Sequence, residues 1–537
     1  MSNAKKTGRS LAGIAGIVAV ATLLSKVFGL FRQQAIAAAF GVGVAADAYN
    51  YAYVIPGFLL ILLGGINGPF HSAIVSVLSK RKQEEVAPLI ETITTLVVSV
   101  LLVVTVLLIL FAEPLIDIVA PGLGQTPVGQ ETRAIAIQQF RIMAPMAVLA
   151  GLIGIGFGAL NAADHYWLPS VSPLFSSLTV LIGLGILAAQ LGPQMTAPEY
   201  ALIGGMVLAW STLAGAVLQW LVQLPAQWRA GLGRLRPRFN LHQPGIREVM
   251  RIMGPATLSS GMLQINVYTD LFFASFIPQA AAALGYANLL VQTPLGIISN
   301  VILVPLLPLL SRLATPDNWT DFKLRIRQGL LLTALTMLPL SALFIALAFP
   351  IVRVVYERFA FDQEASLIVT QVLIAYAIGM FFYLGRDVMV RVFYALGDGD
   401  TPFRISVVNI FLNALLDFLL IKAFGAAGLV LATVGVNIIS MGWLMLVLDR
   451  KINGLPWREW AGPLVQLTLS SVIAGLVCWA TRWGLEVWLG TEGLLVQLIQ
   501  LSVAGAVGLG VFAVLAARTG LPEVDQLVAR LRQRFGR

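Results

Sequence analysis

Residues 23–34 read LLSKVFGLFRQQ, apolar enough for the heart of a membrane span yet carrying Lys26 and Arg32. At about 100° per residue around a helix axis, Thr22, Ser25, Lys26, Gly29, Arg32 and Gln33 fall within one wedge roughly 120° wide. Leu23, Leu24, Val27, Leu30 and Phe31 fill an arc on the other side. An ionisable side chain at this depth is costly unless it faces protein or a watery cavity. Snorkelling to an interface is the plain alternative, but Lys26 lies about 24 Å into the span at ~1.5 Å per residue. The wedge therefore reads as a cavity-facing, anion-binding surface. Phosphate suits it, because Lys and Arg supply charge-assisted donors and an anion compensates two desolvated positive charges.

The rest of the chain has the same character. Of 537 residues, 58% are hydrophobic and 11% charged, with a mean hydropathy of +0.86, whereas soluble domains are about one quarter charged. Fourteen apolar stretches of span length are expected between residues 10 and 517, the first over 10–40, the second over 45–78 and the seventh over 247–277. The first is too long and too charged for a cleavable signal peptide, so the N-terminus is expected to stay. A single cysteine, Cys478, sits in an apolar run, which leaves no internal disulfide and no cysteine metal site.

The formal charge of +9 raises nucleic acid as a partner, but its distribution argues otherwise. Most Lys and Arg, among them Lys5, Lys6 and Arg9, Lys80, Arg81 and Lys82, and the arginines of the C-terminal end, fall in alternate connecting segments. That alternation is the positive-inside pattern and predicts an even span count with both termini cytoplasmic. The basic balance belongs to topology and lipid contact, with no nucleic-acid partner expected.

Two internal echoes share one spacing. FGALNAADHYWLP and FYALGDGDTP place Leu160 and Leu396 236 residues apart, and AYNYAYVIPG and GYANLLVQTPLG place Pro56 and Pro294 238 apart. They predict two six-span lobes which, six being even, insert in the same orientation as parallel repeats around a central cavity. The expected organisation is an all-α, fourteen-span membrane protein. It has an N-lobe over 1–225, a basic cytoplasmic or interfacial linker over 226–246, a C-lobe over 247–450, an appended span pair in 451–518 and an amphipathic tail over 519–537. The linker, basic with interleaved Trp and Leu, reads equally as a segment on anionic headgroups or as a solvated connection. In the tail Val524, Leu527, Val528, Leu531 and Phe535 recur at helical spacing. Pro56, Pro145, Pro255 and Pro294 are candidate bends.

Two more constellations carry charge. GRDVMVRVFYA in the tenth span holds Arg386, Asp387 and Arg391, either a second cationic site or a set of mutually neutralising charges. Asp270 lies deep in the seventh span. Asn409, Asn413 and Asp417 follow at i, i+4 and i+8 in the eleventh, and Thr433 in the twelfth. Oxygen ligands alone suit a hard monovalent cation or a proton better than a transition metal; the competing reading is interhelical hydrogen bonding. Arg141 reads as structural. His71, His165 and His242 are scattered, and Asp398 and Asp400 in GDGDTP read as a turn and helix cap. No nucleophile–base pair, Walker loop or metal-ligand spacing is present, so no enzyme is expected.

SKVFGLFRQQAIAAAFGVGVAADAY, GALNA before a proline, ERFAFD and DVMVRVFYALGDGDTP together resemble MurJ/MviN, the lipid II flippases of the multidrug/oligosaccharidyl-lipid/polysaccharide exporter superfamily. The resemblance covers nearly the whole chain. It implies outward translocation of undecaprenyl-diphosphate-linked peptidoglycan precursor across the bacterial inner membrane by alternating access, with Lys26 and Arg32 holding the diphosphate. Asp47 matches an acidic residue beside the second span, and Asp270, Asn413, Asp417, Thr433 and the Leu429 carbonyl resemble a sodium site of some members. No other cofactor is implied, and a monomer is expected. Leu60 and Ile61 stand where many members have an arginine pair, Asn288 and Leu289 where the eighth span usually reads Asp-Arg, and Gln33 where an acid follows. Part of the usual cationic cage is absent, and Arg386 and Arg391 are the candidates to replace it. Two alternatives stay open: a flippase for another polyprenyl-linked oligosaccharide, and a cation-coupled exporter of small amphiphiles.

Overall fold

The computed structural model describes residues 11–65, 68–240, 242–243, 245–262 and 265–524, and among them every regular element is a helix. Lys5, Lys6 and Arg9 and the tail from residue 525 onward, with Leu527, Val528, Leu531 and Phe535, lie outside the described residues.

The first expected span is α1 (Leu11–Phe40). The second is two helices, α2 (Val44–Gly64) and α3 (Pro69–Leu78), because Gly65 and Gly68 take extended backbone and Pro69, lacking an N–H, opens a new helix instead of continuing the old. α4 (Gln83–Leu110) is followed by the short α5 (Ala112–Val119). α6 (Pro127–Met143) and α7 (Met146–Ala162) meet at 41° across a break that contains Pro145. α8 (Trp167–Val171), α9 (Pro173–Leu191), α10 (Ala201–Leu221) and α11 (Leu224–Arg229) complete the first half. α12 (Ile246–Met262) and α13 (Ile265–Ala274) occupy the seventh expected span, followed by α14 (Ala280–Leu313), α15 (Trp319–Ala346), α16 (Ala348–Tyr356) and α17 (Gln363–Ala395). α18 (Asp400–Phe424), α19 (Ala426–Lys451), α20 (Trp457–Leu489) and α21 (Leu494–Arg518) end the chain's described part.

Among the described residues, eleven helical segments are long and apolar enough to cross a membrane, or twelve with α6 and α7 as one bent span. The chain is thus an all-α polytopic membrane protein. The first and seventh expected spans, on α1 and on α12 with α13, are outside that count; α12 carries Arg247, Glu248 and Arg251 in its first two turns.

The same local devices recur along the chain at the repeat spacing. α5 and α16 each follow a long helix, and their first residues, Ala112 and Ala348, are 236 positions apart. Left-handed backbone precedes α2 at Gly41 (φ +56°) and α14 at Gln279 (φ +68°), 238 positions apart like Pro56 and Pro294, which lie inside those helices. α9 and α18 end on Gly192 and Gly425 with nearly the same dihedrals, φ/ψ of 54°/−135° and 57°/−135°.

The chain divides into two compact units, residues 1–282 with 358–361, and residues 283–357 with 362–537. In the first, α2 lies against α6 and α7, α1 against α8 and α9, and α3 and α4 against α7. Its apolar core gathers Leu62, Ile74, Leu89, Ile93, Ile155 and Leu160. Gly154 lets α7 approach the Leu63 carbonyl so closely that no Cβ would fit. At the end of α1 a Cβ on Gly41 would collide with the Ala360 carbonyl, while the Ala360 N–H donates to the Ala38 carbonyl at 3.1 Å. In the second unit α17 packs on α15 and α19, α18 on α19, and α20 on α15 and α21. There Leu343, Leu347, Cys478 and Ala504 form a small core of their own.

The linker is not simply solvated. The Glu91 carboxylate, buried on α4, accepts from the Arg234 N–H at 3.0 Å and pairs with the Arg238 guanidinium at 3.6 Å, and Thr95 Oγ1 accepts from the Arg238 N–H at 3.0 Å. Trp228, Leu235 and Phe239 stay exposed beside these arginines, the composition of a segment at a headgroup layer.

Candidate functional site

In α1 the small and polar side of the helix turns into its own unit. Ala21, Ile36 and Ala37 are buried, and Ser25 Oγ donates to the Ser170 carbonyl at 3.3 Å, whereas Leu23, Val27 and Phe31 are exposed. Lys26 stands exposed at the margin of the wedge, and a Cβ on Gly29 would meet open space. Arg32 is half-buried. Its Nε is shielded from solvent and has no hydrogen-bond partner among the described residues, and its charge acts on the hydroxyls of Tyr49 and Tyr53. Those tyrosines, one turn apart on α2, stack at 5.4 Å, and the Tyr49 hydroxyl shares a 3.1 Å hydrogen bond with Thr212. Sequence reasoning missed this pair; its signal was the i, i+4 spacing in YNYAY.

Asp47 is buried in the same unit and accepts from the Ala282 N–H at 2.9 Å, with the Gln279 and Ala281 amides also directed at it. It thus stands at the first turn of α14, where helix N–H groups lack intrahelical acceptors and a negative charge is favoured.

Arg386 is engaged within the second unit. Its guanidinium donates to Ser440 Oγ at 3.4 Å and Ser406 Oγ at 3.3 Å and lies 3.8 Å from the Asp387 carboxylate. Arg391, five residues on, is half-buried and in no ion pair among the described residues. The serines on α18 and α19 that hold Arg386 gave no sequence signal, since hydroxyls are common in spans.

The oxygen-rich cluster comes together between α18 and α19. Asn409, Asn413 and Asp417 are all buried. Asn413 Nδ2 donates to Asp417 Oδ2 at 2.9 Å, and Thr433 Oγ1 lies 3.4 Å from Asn413 Oδ1 and 3.3 Å from the Leu429 carbonyl. Asn409 Nδ2 donates to Ser440 Oγ at 3.1 Å. Asn413, Asp417, Leu429 and Thr433 are therefore neighbours, and their oxygens are the donors a hard cation takes. Asp270, half-buried on α13, belongs to the other unit. Among the described residues no group of three or more His, Cys, Asp or Glu could hold a metal ion.

Asp398 caps α18, accepting from the Thr401 N–H at 3.0 Å and hydroxyl at 2.7 Å and from Lys451 Nζ at 2.6 Å. Desolvation raises its carboxyl, but the hydrogen bonds from Lys451 and Thr401 and the Lys451 charge outweigh this and bring it down to about 2. His71 shares a 2.7 Å hydrogen bond with Asn161, and Arg141 pairs with Glu113 at 3.1 Å.

A family model described as lipid II flippase MurJ matches residues 36–498. This chain belongs to the MurJ lipid II flippase family. A probable lipid II flippase MurJ of Synechocystis sp. is 58% identical over 543 residues, covering 100% of both chains. The lipid II flippase MurJ of Burkholderia cenocepacia is 30% identical over 471 residues, covering 85% of this chain and 88% of that one. Among solved structures, a lipid II flippase MurJ in an inward closed conformation superposes with a TM-score of 0.74 at 23% identity, over 94% of this chain and 98% of that one. An inward-facing MATE-family multidrug resistance transporter of the MOP superfamily gives 0.62 at 15% identity, over 82% and 98%. At those identities the two likenesses speak to fold alone. MurJ is a family of transporters, so the absence of catalytic machinery in the sequence accords with membership.

Proposed function

We propose that this chain flips lipid II, the undecaprenyl-diphosphate-linked peptidoglycan precursor, from the inner to the outer leaflet of a bacterial plasma membrane by alternating access. Membership of the MurJ family supports the activity. The observation that carries the substrate-binding reading is Arg32, whose buried Nε has no protein partner among the described residues, six residues beyond the exposed Lys26. A buried N–H left unpaired is costly, and a diphosphate oxygen is the acceptor that would relieve it.

In this reading α1, and α12 with α13, add two spans to the twelve, giving fourteen. The lobes are 1–225 and 247–450, with 451–518 appended and both termini cytoplasmic. The recurring devices and the alternating positive charge favour this arrangement. A monomer suffices. The Asn413, Asp417, Leu429 and Thr433 oxygens would hold a sodium ion, or Asp417 a proton. A bound cation would neutralise the Asp417 carboxylate. The chain's own part is to keep Asn413 and Thr433 aligned beside that carboxylate, and to hold the diphosphate on Lys26 and Arg32.

A second reading, a flippase for another polyprenyl-linked oligosaccharide, rests on the exposed Ile61 and the half-buried Leu289, apolar residues that stand where many members have arginines. Arg386 is held by Ser406 and Ser440, which leaves Arg391 as the reserve cation. The cationic wedge disfavours a small-amphiphile exporter. Depleting the protein and extracting the accumulated lipid-linked precursors decides between these readings. Lipid II held in the inner leaflet is expected, and accumulation of a different polyprenyl-linked glycan would replace the proposal with the second reading.

A further inference from the structure

Beside the break between α2 and α3 lies a cavity of about 910 Å³, bordered by α2, α3, α4 and α12 within the first unit. Leu62, Phe70, Val97, Leu101, Ile246 and Met253 line it, and among the described residues Thr257 is the single polar side chain on its wall. The cavity is open at its edge, where Val100, Met250 and Ile265 of its lining are exposed, so apolar material from outside the protein can enter it. The volume falls in the range of about 300–1,000 Å³ typical of ligand sites. In a membrane protein the abundant material that can fill such a space is a hydrocarbon chain.

The rim of the cavity is charged. Along α12, Ile246, Met250, Met253, Gly254 and Thr257 face the cavity, and at about 100° per residue Arg247 and Arg251 lie on the flank next to Gly254. Both arginines are exposed, and neither forms an ion pair among the described residues. Their neighbours do: Arg81 pairs with Glu85 at 3.5 Å and Glu248 at 3.6 Å, and Lys80 with Glu248 at 3.8 Å. Two uncommitted guanidinium groups one helical turn apart, at the edge of an apolar cavity, match a phosphate attached to a hydrocarbon chain.

We infer that this cavity binds an anionic glycerophospholipid, with an acyl chain among Leu62, Phe70, Val97, Leu101 and Met253 and its phosphate on Arg247 and Arg251. Basic rims between membrane helices recognise anionic headgroups in this way. With the orientation proposed above the lipid comes from the inner leaflet; that assignment rests on the topology, while the binding site does not. An acyl chain here fills space against both sides of the α2–α3 break and against α12, so its binding stabilises this packing.

The test uses the purified, delipidated full-length protein in detergent, where orientation plays no part. Retention of phosphatidylglycerol and phosphatidylcholine of identical acyl chains is measured by native mass spectrometry, and Tm is measured with each. One phosphatidylglycerol should be retained and should raise Tm, with phosphatidylcholine weaker. Arg247→Gln and Arg251→Gln should each weaken phosphatidylglycerol binding about fivefold and leave phosphatidylcholine unchanged. Gly254→Phe fills the cavity from a position where an added Cβ meets open space, so it should abolish lipid binding while the lipid-free Tm holds or rises. Equal retention of the two lipids, or full phosphatidylglycerol binding by Gly254→Phe, would overturn the inference. So would displacement by equimolar undecaprenyl phosphate that the same variants lose, which would assign the cavity to the substrate's own chain.

Discussion

The Asp47 carboxylate on α2 accepts the backbone N–H of Ala282 at 2.9 Å, 235 residues along the chain. Ala282 is the third residue of α14, and the residue before that helix, Gln279, has left-handed backbone at φ +68°. The cap that Ser, Thr, Asp or Asn normally supplies from the adjacent residue is here lent by another helix.

Removing that acceptor should loosen the start of α14. Asp47→Ala is expected to cost about 1 kcal/mol, the usual worth of a helix cap, seen as faster amide exchange over residues 280–283. Asp47→Asn keeps an acceptor oxygen and should exchange more slowly than the alanine variant. Unchanged exchange in Asp47→Ala would show that the cap contributes nothing.

Charge removal in the wedge should hurt transport and spare insertion. Lys26→Ala and Arg32→Ala, singly and together, are expected to reach the membrane in normal amounts and to complement a depletion strain poorly, the pair worst. Normal growth of the double variant at normal abundance would sink the diphosphate-binding role.

If the oxygens around Asp417 hold sodium, Tm in sodium chloride should exceed Tm in potassium chloride. The stabilisation is about 1.4 kcal/mol at a tenfold excess over Kd. Asp417→Asn should erase the difference, whereas Arg386→Gln, outside the ligand set, should keep it. Identical melting of the wild type in the two salts would point to a proton or to no coupling ion.

Asp398, in the turn between α17 and α18, predicts a pH dependence. Its carboxyl is held at about 2 against about 3.9 for a free aspartate. The linked stability is therefore complete above pH ~4 and drains away as pH falls through about 2. The gap in stability between wild type and Asp398→Asn, measured by thermal melting from pH 6 downward, should be constant near neutrality and close below pH ~4. A gap that stays constant to the acid limit would show that Lys451 and Thr401 do not favour the ionised form.

Much of the site was legible for local reasons. The wedge of Ser25, Lys26, Gly29 and Arg32 follows from helix periodicity, and Asn409, Asn413 and Asp417 share a face because four residues make about one turn. The tenth span shows the limit. Arg386 and Arg391 looked alike in sequence, yet Arg386 is bound by Ser406 and Ser440. No local pattern reports which lateral neighbour an arginine meets.

By itself the sequence determined the all-α class, the approximate extents of the helices and the repeat spacing. Hydropathy over about 20 residues, and turn residues such as Gly192 and Gly425, act within a few positions along the chain. Only the tertiary structure decided that Asp47 caps α14, that Tyr49 and Tyr53 stand beside Arg32, that Glu91 and Thr95 anchor the linker, and that an apolar cavity remains beside α12. Each of these depends on which helices become neighbours. That choice arises from the summed packing of many small and aliphatic side chains and from long-range hydrogen bonds, to which no single stretch of sequence contributes more than one side.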